Sequence, residues 1–104
     1  MAQFDVHRNA NRSRREEIPY LLDVQTDLLD VLATRVVVPL VAVSVMKEAA
    51  RHLNPRFRIE NHWVVMSTAE LAGVPVKSLG GKVASLKSHR DDIVAALDFL
   101  ISGI

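Results

Sequence analysis

The sequence predicts a small, mainly β protein ending in one α-helix, an antiparallel sheet or small barrel. Three observations predict this. Valine is dense between Arg35 and Val45, and β-branched side chains lose rotamer freedom in a helix but pack well on a pleated surface. Short alternating runs recur between turn-forming residues, the pattern of half-buried strands. Only the last segment carries a sustained 3.6-residue repeat. With 104 residues the chain has material for one core, so a single domain over residues 1–104 is expected. A content of 49% hydrophobic and 24% charged residues is that of an ordinary globular protein.

Gln3-Phe4-Asp5-Val6-His7 alternates polar and apolar residues, predicting a first strand with Phe4 and Val6 inward. Residues 8–17 carry Arg8, Arg12, Arg14, Arg15, Glu16 and Glu17 with almost nothing apolar, so they read as an exposed, mobile loop. Residues 18–25 turn apolar again and return antiparallel to the first strand. A short connection over 27–34 sets Leu28 and Leu29 between Asp27 and Asp30. Arg35 to Val45 is the long strand, in which Pro39, lacking a donor, marks an edge or a break. Residues 46–53 suggest a brief helical turn before Asn54-Pro55. Two short strands, 57–59 and 63–66, flank Glu60-Asn61-His62 as a hairpin. From 68 to 79 turn and strand mix, with Gly73 and Pro75 as breakers and Gly80-Gly81 as the end, a simple turn. Leu86, Ile93, Leu97, Leu100 and Ile104 then mark one helix face, with Ser88 and Asp91 or Ser85 at its start and Gly103 at its end.

A formal net charge of +1 gives no general attraction to nucleic acid or anionic membrane. There is no cysteine, hence no disulfide framework, which fits a reducing compartment. The start lacks a basic region followed by an apolar one, and the longest apolar run, 36–46, is half of the roughly 20 residues a spanning helix needs. A cytoplasmic protein without membrane contact is expected. His7, His52, His62 and His89 share no metal-ligand spacing, and Asp23, Asp27 and Asp30 lack the turn glycine and bidentate Glu of a calcium loop. No serine sits in a Gly-x-Ser-x-Gly elbow, and Gly80-Gly81-Lys82 lacks phosphate-loop spacing. No catalytic residue, metal or cofactor is expected.

Two features point to binding. The arginine loop is either a docking surface for an acidic or disordered partner or a merely soluble loop. The chain end places five large apolar residues in the eight from Leu97 to Ile104, where a terminus normally frays into water. Either they pack on the chain's own sheet, or some meet a second subunit or a target.

Gln3-Phe4, Leu22-Asp23-Val24-Gln25-Thr26-Asp27-Leu28-Leu29-Asp30, Arg35-Val36-Val37-Val38-Pro39-Leu40, Val74-Pro75-Val76 and the final Gly103-Ile104 occur in the order and spacing of the CcdB toxins, and the sequence resembles that family from end to end. The resemblance implies an SH3-like barrel, a five-stranded antiparallel sheet with a small extra sheet and a carboxy-terminal helix, forming a homodimer related in fold to the MazF toxins. It implies a non-enzymatic toxin of a type II toxin-antitoxin module, a DNA gyrase inhibitor and topoisomerase poison that binds the gyrase A subunit and traps cleaved DNA. A CcdA-like antitoxin would neutralise it and, with it, act as transcription repressor of the operon, so that DNA is met only through the antitoxin; the setting is plasmid maintenance.

By the resemblance, gyrase would be met by Leu28, Leu29, Asp30, Asp98, Ser102, Gly103 and Ile104; the antitoxin by Arg8, Arg12, Arg14, Arg15, Val41, Val43 and Met46; and the second subunit by Leu100, Ile101 and Ile104. Ser102 departs from the pattern: some CcdB proteins have tryptophan there, an interface anchor worth on the order of 2 kcal/mol. The alternatives are a MazF-like endoribonuclease, for which His7, Arg35 and the aspartates assemble no convincing base, acid and cation, and an antitoxin-binding homologue with weakened gyrase activity.

Overall fold

The computed structural model describes residues 2–103. Seven strands, β1 (Asp5–Asn9), β2 (Tyr20–Asp23), β3 (Thr34–Ala42), β4 (Arg56–Ile59), β5 (His62–Met66), β6 (Ala72–Pro75) and β7 (Leu79–Ser85), precede one helix, α1 (Arg90–Ser102). All ladders are antiparallel, and they run β4-β5-β3-β2-β1-β7 with β6 also on β3. The sheet therefore forks at β3: its first half pairs with β6 and its last three residues with β5. The five strands β6-β3-β2-β1-β7 and the small β4-β5 hairpin are the mainly β, helix-terminated architecture that the sequence predicts. Its inner face carries the core.

Cross-strand rows build that core. Val6, Leu22 and Val38 lie opposite one another across β1, β2 and β3, and Tyr20, Leu40 and Met66 form the next row. All six are 2% exposed or less. Phe4, Phe57, Ile59 and Val64 complete the cluster, and α1 closes it with Ile93 and Ala96, while Leu97 packs at its margin. Burying one large aliphatic or aromatic side chain contributes about 1.5–3 kcal/mol. The two rows of three thus supply part of what offsets chain entropy.

Several expectations are corrected. Pro39 does not interrupt β3. Its carbonyl accepts from Ser67 N (2.9 Å), and a strand residue turns its N and its C=O to the same neighbour. The missing N–H therefore points to the fork, between the last β6 pair at Val37 and the first β5 pair at Leu40. The break lies in the partner. Gly80-Gly81 does not end a segment but lies inside β7, paired with β1 through two register shifts. A Cβ on Gly80 would stand 2.7 Å from the Arg8 carbonyl oxygen, so only glycine allows that approach. Gly73 and Pro75, read as breakers, belong to the edge strand β6.

Residues 46–53 hold no full helix, but the brief helical turn expected before Asn54-Pro55 is there: Ala50 O accepts from Leu53 N (3.1 Å) and Asn54 N (2.8 Å). Asn54 also fixes the loop, its Nδ2 donating to Met66 O (3.0 Å) and its Oδ1 accepting from Ala50 N (3.0 Å). Neither Ser88 nor Asp91 caps α1; a 3-10 turn over Lys87–His89 leads into it, and Ser85 Oγ accepts from Lys87 N (3.2 Å). Leu86 is buried as expected, but ahead of the helix. At the other end Gly103 takes φ +73° and donates its N–H to Phe99 O (2.9 Å), the glycine stop read from the sequence. Residues 8–17 are mostly exposed, but Arg8 and Asn9 close β1, Asn9 is buried, and Asn9 and Asn11 bond the backbone around a 3-10 turn, Arg12–Arg14.

Candidate functional site

The Asp-Val-Gln-Thr-Asp string at 23–27 is a polar scaffold buried at Asp23 and Gln25 and exposed at Thr26 and Asp27. Asp23 and Arg35 are 0% and 1% exposed, with Arg35 Nε donating to Asp23 Oδ2 at 2.8 Å. Arg35 Nη2 donates to Gln25 O (3.2 Å) and stands 3.6 Å from Asp27 Oδ1. Gln25 accepts from Val36 N (3.0 Å) and donates to Leu29 O (3.1 Å), while Asp27 accepts from Gln3 N (2.8 Å). Burial opposes the Arg35 charge, but Asp23 first and Asp27 next outweigh it and raise its pKa above the ordinary arginine value.

That scaffold presents a second 3-10 turn, Asp27–Leu29, capped by Thr26, and the loop after it. Leu28 and Val31 are 89% and 88% exposed, and Leu29 and Leu32 are exposed as well. Asp30 is exposed beside them. Four large apolar side chains thus stand exposed on one tethered loop, the kind of patch that marks candidate interaction sites.

At the end of α1, Asp98, Ser102 and Gly103 are exposed and Leu100 is half-buried. Phe99 and Ile101 are also exposed, the latter at 78%. Ile104 lies outside the described residues. Phe99 sets its ring edge-on to His52, at 6.1 Å between centroids. The helix's apolar residues thus divide between the sheet and solvent, as both readings of the chain end allowed. The expected gyrase-contacting set is itself divided. Asp27 lines a cleft with Lys87 and Arg90 at the start of α1, and Ser102 is twelve residues further on, about 18 Å along the helix.

A third region gathers around the outer end of the β4-β5 hairpin. Glu60 and Asn61 take φ +50° and +66°, the two left-handed residues of a primed hairpin turn, so the connection is two residues rather than three. The Glu60 carboxylate is clamped: Tyr20 OH donates to Oε1 (2.8 Å) and Arg8 Nη2 to Oε2 (2.8 Å). Burial first and the Glu60 bond second push the Tyr20 phenol up to about 12, and the same bond, with Arg8, lowers the Glu60 pKa. A cavity of about 360 Å³ opens there between Arg8, Arg15, Tyr20, Glu60 and Trp63. A second, of about 420 Å³, lies across Trp63 against Val43 and Arg56.

Of the expected antitoxin residues, the structure brings Arg8, Arg15 and Val43 to this groove. Arg12 and Arg14 are exposed on the nearby turn, Arg14 being 3.5 Å from Glu17. Met46 is half-buried, and Val41 is only 3% exposed, its side chain turned into the protein. Trp63, Tyr20 and Glu60 were missed by sequence reasoning. The signal for Trp63 was alternation: with Val64 inward, its neighbour on the strand faces out.

His7 and Arg35, weighed for RNA cleavage, are 5% and 1% exposed. His7 Nδ1 is bonded to Gly80 O (3.1 Å) and Arg35 to Asp23, so neither is presented to a polymer phosphate. Among the described residues no cluster of three His, Asp or Glu side chains could hold a metal ion, and no helix is long and apolar enough to cross a membrane.

The family model described as CcdB protein matches residues 3–103. Among solved structures the chain is similar to one described as an endoribonuclease in complex with its cognate antitoxin from Mycobacterial species, with a TM-score of 0.74 and 13% sequence identity over 97% of this chain and 94% of that one. At that identity the likeness concerns the fold.

Proposed function

This chain belongs to the CcdB family, and from that premise we propose that it is the toxin of a toxin-antitoxin module, a binding protein that traps DNA gyrase on cleaved DNA. The observation that carries the reading is the end of α1. Asp98, Phe99, Ile101, Ser102 and Gly103 are all exposed on a helix whose other face is fixed in the core. Asp98 sits one turn from the helix end, where the macrodipole disfavours a carboxylate, and the last turn carries no basic residue to offset it. A charge placed against its own helix fits a cationic group on a partner. We propose further that Leu100 and Ile101 pair two copies about a two-fold axis, setting two helix ends side by side, with Leu28, Leu29 and Asp30 as flanking contacts.

Neutralisation by a CcdA-like antitoxin is assigned to the separate groove at Arg8, Arg15 and Val43, and co-repression of the operon to the complex of the two. Deleting residues 102–104 takes away the exposed Ser102 and Gly103 together with the last residue, and circular dichroism is expected to show the shortened chain still folded. It is expected to lose accumulation of gyrase-linked DNA breaks with purified gyrase and supercoiled DNA, and full trapping by it refutes the assignment. The endoribonuclease named in the structural comparison makes RNA cleavage the second reading. It predicts RNA scission by the purified chain without gyrase. Against it stand the burial of His7 and Arg35 and the lowered pKa of Glu60, which makes that carboxylate a poorer general base.

A further inference from the structure

The exposed end of α1 is braced from outside the helix. Its last turn has little backbone freedom left: Gly103 N donates to Phe99 O (2.9 Å) in the left-handed stop, and Ser102 Oγ donates to Asp98 O (2.7 Å). What stays open is the rotamer of Phe99, the one aromatic side chain of α1, which is 38% exposed. An exposed large side chain samples several rotamers, and a partner that selects one of them must offset the lost freedom. Among the described residues one ring limits that sampling. His52 stands against Phe99 at 6.1 Å between centroids and 61° between planes, an edge-to-face pair. It can do so because its own loop is fixed on both sides of it. Ala50 O closes the turn with Leu53 N and Asn54 N, Leu53 O accepts from Thr68 Oγ1, and Asn54 Nδ2 holds Met66 O. The 3-10 turn Thr68–Glu70 that supplies Thr68 also packs on α1, so loop and helix share one frame.

We infer that His52 is a positioning residue of the helix-end surface: its ring holds Phe99 in the rotamer that the partner meets, so that part of the ordering cost of docking is already borne by the free protein. His52 lies 47 positions before Phe99 in the chain and outside every segment that the sequence singles out for partner contact. A purely structural role, shielding Phe99 from water, would act on stability and leave docking as it is. The inference rests on the proposed function only for the identity of the partner, namely gyrase.

Trapping is titrated with purified gyrase and supercoiled DNA at a temperature where circular dichroism shows full-length wild type, His52→Ala and His52→Phe all folded. His52→Ala is expected to raise the concentration for half-maximal trapping about three- to tenfold and to leave the plateau unchanged. His52→Phe keeps a ring edge in that place and is expected to return the concentration to within about twofold of wild type. A second measurement needs no gyrase. The chain has three phenylalanines, so selective labelling resolves the Phe99 ring by NMR. Its signals are expected to shift in His52→Ala while those of the buried Phe4 stay in place. The inference is overturned if His52→Ala traps gyrase at the wild-type concentration, if His52→Phe traps no better than His52→Ala, or if the Phe99 signals do not move. Absence of trapping by the wild-type chain, with the Phe99 shift present, refutes the proposed function and leaves the positioning of Phe99 standing.

Discussion

Replacing Arg35 by methionine tests whether the Asp23–Arg35 pair acts as the buried pin of the 23–35 loop. Both groups are out of water, 2.8 Å apart. Without the guanidinium, Asp23 keeps a single donor to its side chain, Gln25 N at 3.0 Å, Gln25 O loses its donor, and Asp27 loses its cation while keeping the bond from Gln3 N. Stripping one partner from a buried pair costs about 3–5 kcal/mol. A domain of this size has roughly 5–15 kcal/mol in total, and each kcal/mol moves the midpoint by about 4 °C or more, so thermal unfolding should fall by at least about 12 °C. The double variant Arg35→Met/Asp23→Leu removes both charges and should recover part of that loss. Thermal and urea unfolding at one fixed protein concentration measure all three variants. A cost below about 1 kcal/mol for Arg35→Met, or a double variant worse than the sum of the singles, would show that the pair is not the buried pin described.

Three further outcomes follow from particular contacts. The Tyr20 phenol, held up to about 12 in the fold, keeps its proton while the unfolded chain loses it near the ordinary value of 10.0. Stability should therefore be intact below pH 10 and decline between pH 10 and about 12, and Tyr20→Phe should remove that component of the alkaline slope. Glu60, whose pKa is lowered by Tyr20 first and by Arg8, contributes stability above the ordinary carboxylate value that is lost as pH falls through its folded value, and Glu60→Gln should flatten that part of the acid limb in chemical denaturation. Gly80→Ala forces a Cβ to 2.7 Å from a backbone oxygen and should cost about 1–3 kcal/mol, whereas Gly81→Ala, with nothing within 4 Å, should stay within about 0.5 kcal/mol by urea unfolding.

What the sequence made legible is what its local periods encode. The hairpin and the helix face through Ile93 and Leu97 stand where the turn signals and the 3.6 repeat put them, and Val6 is inward on β1. Phe4 is buried too, but ahead of the strand at φ +71°, and Asp5 and His7, which the alternation turns outward, are buried as well. Gly80 misled because a glycine needed for close approach of another strand looks, in one dimension, like a glycine needed for a turn; the Arg8 carbonyl that requires it is 72 residues away. Pro39 misled because its missing donor falls between two partner strands whose junction no local pattern announces. The Trp63 groove draws on β1, β2, β5 and the loops after β1 and β3, so only the assembled sheet shows it. The string at 23–27 was legible as distinctive but its Asp23 not as buried, since a carboxylate reads as solvated until a cation as far off as Arg35 is seen to pair with it.

The fork at β3 divides the molecule's labour in a way that bears on how such proteins diverge. The β4-β5 hairpin is joined to the main sheet through three register pairs, at Leu40, Val41 and Ala42, and its turn is fastened by two side chains, Arg8 and Tyr20. The Asp23–Arg35 network stands on the other branch, whereas the α1 end leans on the 43–55 loop through Phe99 and His52. Changes within the hairpin itself therefore leave the Asp23–Arg35 scaffold in place, while length variation in the 43–55 loop also reaches the helix end. Grafting this hairpin onto a relative would have to bring Arg8, Arg15, Tyr20 and Val43 with it to reproduce the groove around Trp63.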